Sequence, residues 1–330
     1  MQAQRLTCTD KRKIEVESFE LPPVPHNGIL VQNDITAVSV GTEIHTYLHG
    51  SEPGRASSFP RITGYCNTGI VLEVGKDITG IHVGDRIAGQ GNHASHGVLT
   101  SNYRKVPKDV PAKSAAYLVM CAIAIHGHRV GKPELGESVA ITGMGIVGQL
   151  AATFAKLAGA HPVIAIDLNN LRLEKARNRG IDICLNPSTL DNLTETVQSH
   201  CVADGVDLLI EATGIPAVYP SALQLPRQGG RFVALGSPRG SVEVSFLPDI
   251  HLREITVLGA HQPKTPDDQH IYYPWTRARD RDFILTLMSQ GKLPIEDLIT
   301  HTAKPEACQD IYTMLADNPQ EALGVIFEWE

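Results

Sequence analysis

Residues 138–167 read SVAITGMGIVGQLAATFAKLAGAHPVIAID. Val139, Ala140 and Ile141 make a short apolar run that stops at Gly143-Met144-Gly145-Ile146-Val147-Gly148. Ile146, Val147, Leu150, Ala151, Phe154, Leu157 and Ala158 then recur at helical spacing, which predicts a helix over 146–158 with one face on a sheet. Residues 162–166 form the next buried strand, and Asp167 closes it.

Each element has a physical role if the ligand is a dinucleotide. Gly143 permits the tight turn, Gly145 lets the backbone approach a pyrophosphate, and Gly148 lets the helix lie close to the strand. Ile146 and Val147 open the helix, whose free N–H groups and positive end meet the phosphates. Asp167, about 20 residues beyond the glycines, can accept both hydroxyls of the adenosine ribose, and its charge repels a 2′-phosphate. That favours NAD(H) over NADP(H). Glycine turns also arise by chance and in methyltransferases, so another nucleotide or a purely structural turn is the alternative; the strand, helix, strand and acid in register weigh against both.

Outward from this stretch, strands are expected at 182–185, 206–211, 231–236 and 255–260, with a helix at 170–179. Strand–helix–strand repetition implies parallel pairing with right-handed crossovers, so six strands make a doubly wound sheet. Ligands bind at the carboxyl ends of such strands, where Thr213 and Gly236 stand. Residues 1 to about 120 are β-rich, with short apolar runs at 29–31, 70–74 and 86–88 between Pro and Gly turns, one of them at Gly84-Asp85. After an irregular stretch from 264, helices at 281–290 and 305–317 and a strand at 323–329 finish the chain. This tail is too short to fold alone and is expected to rejoin the first part, giving a division into 1–122 with 264–330, and 123–263.

A length of 330 residues suits two domains. Hydrophobic residues at 42% and charged residues at 20% are ordinary for a chain with a full core. A net charge of −7 argues against nucleic-acid binding. The first residues lack the apolar core of a signal peptide and no run reaches membrane-spanning length, so the expected compartment is the cytoplasm and the expected partner a small molecule. The six cysteines are scattered with no CxxC pair, which speaks against a close-spaced zinc cluster or a disulfide framework.

The order of these parts resembles the medium-chain dehydrogenase/reductase superfamily. Val40-Gly41-Thr42-Glu43-Ile44-His45 is similar to that family's Cys-Gly-Thr/Ser-Asp-x-His segment, and Gly64-Tyr65-Cys66-Asn67-Thr68-Gly69-Ile70-Val71 to its Gly-His-Glu-x-x-Gly-x-Val segment. Asp167 with Arg172 matches the pair that holds the adenosine ribose in NAD-dependent members. The resemblance implies an α/β fold with a GroES-like β-rich catalytic domain and a Rossmann domain carrying a six-stranded parallel sheet. Zinc-dependent members bind the catalytic metal through a Cys, the His of Gly-His-Glu, and a later Cys or Glu. Here the first position is Val40 and the second Tyr65; valine has no lone pair and a phenol is a poor zinc ligand. No catalytic zinc is therefore expected, the rival being a rearranged site using Cys66, Cys121, His45 or Glu43.

In the resemblance, Thr42 and His45 look like the proton relay of alcohol dehydrogenases, and Tyr65 could donate to a carbonyl oxygen in place of part of the zinc's polarising role. The alternatives are a turn threonine, a surface histidine and an aromatic filling the metal's space. His93 and His96 fall in a loop and read as solvated histidines more readily than as ligands. Tyr272-Tyr273-Pro274-Trp275-Thr276-Arg277 resembles members acting on sugars and glycosides, and suits a subunit contact equally. The expected activity is NAD(H)-dependent interconversion of a secondary alcohol and a ketone, on a polyol, sugar, glycoside or cyclitol. The rivals are a zinc-free quinone or enoyl reductase and an NAD-binding sensor or scaffold without catalysis. Family members commonly pair through the cofactor-domain sheet, so a homodimer or dimer of dimers is expected, with residues 253–258 at the contact.

Overall fold

The computed structural model describes residues 1–50 and 58–329, which fall into two units, Met1–Met120 with Arg277–Glu330 and Cys121–Thr276. In the first unit β1 (Gln2–Asp10) and β2 (Lys13–Glu20) pair as an antiparallel hairpin. β3 (Ile29–Ala37) buries Ile29, Val31, Asn33 and Ile35 on one side, the period of two that a half-covered strand requires. The chain then turns into α1 (Val40–His49), which ends where Gly50 takes φ 73° and donates its N–H to Thr46 O at 2.7 Å.

Next come β4 (Arg61–Ile62), β5 (Asn67–Val74), β6 (Arg86–Gly89), β7 (His96–Leu99) and β8 (Tyr103–Lys105). β4 joins β1, while β3 pairs antiparallel with β5 and with β7, and β5 continues to β6 and β8. Ile29, Val31, Val71, Ile87 and Leu99 form the apolar centre of this sheet. The short α2 (Ala112–Ala115) precedes α3 (Leu118–Gly131).

The second unit alternates regularly. β9 (Val139–Thr142), α4 (Ile146–Leu157), β10 (Val163–Ile166), α5 (Asn170–Asn178), β11 (Ile183–Leu185), α6 (Leu193–Ser199), β12 (Val206–Glu211), α7 (Tyr219–Ala222), β13 (Pro226–Ala234) and β14 (Thr256–Gly259) follow in turn. The sheet order is β11-β10-β9-β12-β13-β14 and every pairing is parallel. β9 and β10 are wholly buried, which is why they read as continuous apolar runs. The order reverses around β9, so the crevice beyond β9, β10 and β12 is where such a sheet takes its ligand. β13 begins earlier than 231, because Pro226 already pairs with Val206 of β12, before a bulge that ends at Arg231.

The return to the first unit comes at Arg277, not at 264. Residues 265–275 stay with the second unit because Thr265 Oγ1 bonds His126 Nδ1 at 3.1 Å and the Arg129 guanidinium lies 3.2 Å from the Trp275 ring centre. That stacking occupies the Trp275 face that suggested a sugar platform. α8 (Arg277–Ser289), β15 (Ile299–Ala303), α9 (Cys308–Asp317) and β16 (Gly324–Glu328) complete the chain, with β16 pairing antiparallel to β3. Tyr47, Tyr312, Phe327 and Trp329 build the core they share with α1. Among the described residues no helix is long and apolar enough to cross a membrane.

Candidate active site

The glycine turn after β9 has the geometry a dinucleotide needs. Gly143 has φ +85°, and a Cβ there would lie 2.8 Å from the Thr213 backbone nitrogen. A Cβ on Gly148 would lie 1.8 Å from Gly143 O, so helix and turn touch only because it is glycine. Gly145, at the N-cap of α4, would carry a Cβ into open space with nothing within 4 Å. Ile146 is buried and Val147 half-buried at the first turn of that helix. Asp167, past the end of β10, accepts from Met144 N at 2.6 Å and from Asn169 N at 2.7 Å, with Arg172 Nη1 at 3.9 Å. Its carboxylate is thus fixed between the glycine turn and α5, with further lone pairs for ribose hydroxyls.

Thr213 and Gly236 lie past the ends of β12 and β13. The buried Glu211 accepts from Thr213 N at 2.8 Å and Gly214 N at 3.2 Å and also takes the Thr213 hydroxyl. Burial raises its carboxyl above the usual range, opposed by those donors. A Cβ on Gly236 would meet Gly214 N at 2.3 Å, so these two loops approach closely. Three more residues belong here that the glycine pattern does not name. Gln149, buried on α4, donates to Met144 O at 3.2 Å and Arg172 O at 2.7 Å, tying turn to helix; its signal is a polar residue inside an apolar helical stripe. Leu168 and Ile215 are 70% and 54% exposed just past β10 and β12, apolar surface that could cover an adenine ring.

In the first unit the candidate side chains gather at the start of α1. Ser39 is its N-cap, yet its hydroxyl makes no cap bond. It accepts instead from the Tyr65 hydroxyl, which also meets the Thr42 hydroxyl. Burial pushes the Tyr65 phenol well above the usual tyrosine range, against the pull of Ser39 and Thr42, so at neutral pH it is a proton donor. Thr42 and His45 are three residues apart and share a helix face, with the His45 ring centred 4.7 Å from His49. Ser39 escapes the sequence reading because serine before a helix signals a cap.

The missing cap is supplied from within. Glu43 Oε1 accepts the Ser39 N–H at 2.7 Å, and Glu43 Oε2 accepts from His93 Nε2 at 2.9 Å and from the Tyr312 hydroxyl. His93 Nδ1 lies 2.6 Å from Thr36 Oγ1, which also receives Trp329 Nε1 at 3.0 Å. His93 is 0% exposed and Glu43 3%, so the expectation of a solvated loop histidine is corrected for His93. Burial, then Glu43, holds the Tyr312 phenol far above its ordinary value. His96 differs: it lies half-buried on β7, with burial lowering its imidazole.

Comparison with known proteins matches residues 147–274 to the family model described as "Zinc-binding dehydrogenase". The chain is 26% identical to an L-threonine 3-dehydrogenase of Pseudoalteromonas atlantica, covering 97% of each chain. An Escherichia coli oxidoreductase/dehydrogenase of unknown specificity superposes with TM-score 0.88 at 17% identity over 100% of both chains. The 2R,3R-butanediol dehydrogenase of Bacillus subtilis gives 0.83 at 20% identity over 99% of this chain and 100% of that one. The chain is thus similar to zinc-binding dehydrogenases over residues 147–274 and shares its fold with dehydrogenases of known structure.

The positions that resemble the superfamily's zinc ligands offer few donors. Val40 offers none, and the Tyr65 oxygen is engaged with Ser39. Cys66 and Cys121 are fully buried, and burial raises the Cys121 thiol far from the thiolate that zinc needs. Three donors already engage both oxygens of the Glu43 carboxylate. Among the described residues no three His, Cys, Asp or Glu side chains are grouped to hold a metal. This donor set does not fit a zinc ion.

Removing the Glu43 carboxylate leaves three donors unmatched, two of them, His93 and Tyr312, fully buried. Glu43→Ala is expected to destabilise the protein by about 3–5 kcal/mol in denaturant unfolding, since each donor left without its acceptor costs about 1–3 kcal/mol. Thr42→Ala on the same turn should cost under about 1 kcal/mol. Equal losses for the two would contradict this assignment of the network.

Proposed function

We propose that this protein is an NAD(H)-dependent oxidoreductase that interconverts a secondary alcohol and a ketone without catalytic zinc, on a polyol, sugar, glycoside or cyclitol. The observation that carries the reading is the Ser39, Tyr65 and Thr42 hydroxyl cluster at the position where relatives of this superfamily hold metal. The dehydrogenase names of the relatives support the reaction type, and a fixed Asp167 carboxylate supports NAD(H). When bound, the nicotinamide supplies or accepts the hydride.

The chain's own groups handle the oxygen. In ketone reduction the buried phenol, protonated at rest, turns its one O–H from Ser39 to the carbonyl oxygen as negative charge develops there. Ser39 and Thr42 hydroxyls, each both donor and acceptor, hold that phenol and replace its proton once it is given up. His45, one helical turn from Thr42, passes the proton on toward solvent. In alcohol oxidation the same groups carry the proton outward. Gly143, Gly145, Gly148 and the start of α4 receive the pyrophosphate, and Asp167 with Arg172 holds the ribose. A quinone or enoyl reduction needs no such donor cluster and usually goes with NADPH.

Self-association is part of the reading. β14 is the edge of its sheet with Val257 50% exposed, and an edge strand of this kind pairs with a second copy to give a homodimer or a dimer of dimers.

Three outcomes are expected. Tyr65→Phe lowers kcat for ketone reduction by about 10²–10³-fold with NADH affinity unchanged; an unchanged kcat would remove Tyr65 from the chemistry. Asp167→Ser shifts the kcat/KM ratio toward NADPH by about tenfold or more, the loss of one charge–charge repulsion of about 1.4 kcal/mol, and a wild type that prefers NADPH would contradict the cofactor assignment. Val257→Pro converts the assembly to monomers in light scattering, an idea that a monomeric wild type sinks.

A further inference from the structure

Glu211 closes β12 in the second unit, is 0% exposed, and takes no part in the hydride or proton steps. Its carboxylate turns to the loop that follows. Oε1 accepts from Thr213 N at 2.8 Å and from the Thr213 hydroxyl, and Oε2 accepts from Gly214 N at 3.2 Å. The Thr213 hydroxyl accepts in turn from Ile215 N at 3.0 Å. One buried carboxylate therefore sets three successive residues, the last of them the exposed Ile215 at the crevice end of the sheet.

The same residue sets a second loop. Its backbone carbonyl accepts from Leu235 N at 2.9 Å and from Gly236 N at 2.8 Å, where the chain leaves β13. The loops leave each other no slack: a Cβ on Gly214 would lie 2.7 Å from Ser237 O, and one on Gly143 would lie 2.8 Å from Thr213 N. The glycine turn, residues 213–215 and residues 236–237 are packed backbone to backbone, so a shift of the middle segment is felt on both sides.

A proton on Glu211 is incompatible with this arrangement. The Thr213 oxygen receives the Ile215 N–H, so its own hydrogen points to Glu211, and the three groups bonded to the carboxylate are all donors. Protonating either oxygen sets a donor against a donor. Burial, the larger influence, raises the Glu211 carboxyl above its ordinary range, against the Thr213 and Gly214 donors. Among the described residues the other titratable group facing it is the Tyr219 phenol of α7, which burial and then Glu211 hold far above its ordinary value and so protonated. Thr142 of β9 and Ala234 of β13, the partners of Glu211 in the sheet, carry no charge.

We infer that Glu211 is a positioning residue for the cofactor: its ionised carboxylate holds residues 213–215 in the form that receives the dinucleotide, and a proton on it releases them and lowers cofactor affinity. The inference rests on the dinucleotide reading of the glycine turn and deepens it, since Glu211 acts through Thr213 and not by contact with the ligand.

The test is calorimetric titration of the whole protein with ADP-ribose, which carries the adenosine, pyrophosphate and second ribose of the cofactor without its redox group, between about pH 8 and pH 5. Native affinity is expected to fall as pH falls, because the ionised form is the one that binds. Glu211→Gln, which sets an amide donor against the loop, is expected to bind about tenfold more weakly at the alkaline end and to lose that pH dependence. Thr213→Ser keeps the hydroxyl link and the native affinity, whereas Thr213→Val weakens binding about three- to tenfold; this pair decides the matter even where Glu211→Gln does not fold. A native affinity that is flat across the range overturns the inference, as does a pH dependence that Glu211→Gln leaves intact, or equal binding by the two Thr213 variants. A native protein that binds no ADP-ribose at any pH sinks the dinucleotide reading itself and the inference with it.

Discussion

A single buried carboxylate organises the first unit. Glu43 takes the Ser39 N–H that starts α1, the His93 imidazole from the loop before β7, and the Tyr312 hydroxyl from α9. Through His93 the same network reaches Thr36 on β3 and Trp329 beyond β16. Three segments far apart in sequence meet on one carboxylate that water does not reach, and two more join through Thr36. A charge buried in this way is tolerable only when its acceptor sites are filled, so the segments hold one another in a fixed relation.

The hydroxyl cluster depends on that arrangement. With Glu43 capping α1 from inside, Ser39 is released from the usual serine role and turns to Tyr65. The clamp on His93 in turn fixes the neighbouring Asn92 and Gln90, which face the cleft beside Tyr65. Zinc polarises a carbonyl through a full positive charge; a phenol does so through one directed hydrogen bond, strong only where water is excluded. Burial that raises the Tyr65 phenol therefore keeps it protonated at rest, as a neutral donor beside Ser39 and Thr42.

The second unit was almost fully legible in the sequence, because its strands are short, apolar and buried on both faces and its glycines occupy fixed structural positions. Asp167 and the glycines follow from backbone geometry that spacing alone reveals. The first unit was less so. α1 begins Val40-Gly41-Thr42, three poor helix formers, and exists because Glu43 and the Tyr47 packing hold it. His93 read as a loop histidine, since burial by partners 50 and more residues away leaves no local pattern. The chain's return at Arg277 was hidden for the same reason: Thr265 and Trp275 are retained by contacts with α3 that spacing does not encode.

The account stands on hydroxyl groups performing at Tyr65 what a metal performs in zinc-dependent relatives. The most direct test is elemental analysis of freshly purified protein whose alcohol–ketone turnover is measured on the same sample. The account predicts full activity with far less than one zinc per chain, unchanged by chelator. Stoichiometric zinc whose removal abolishes turnover, and which is lost on replacing Cys66 or Cys121, would contradict it.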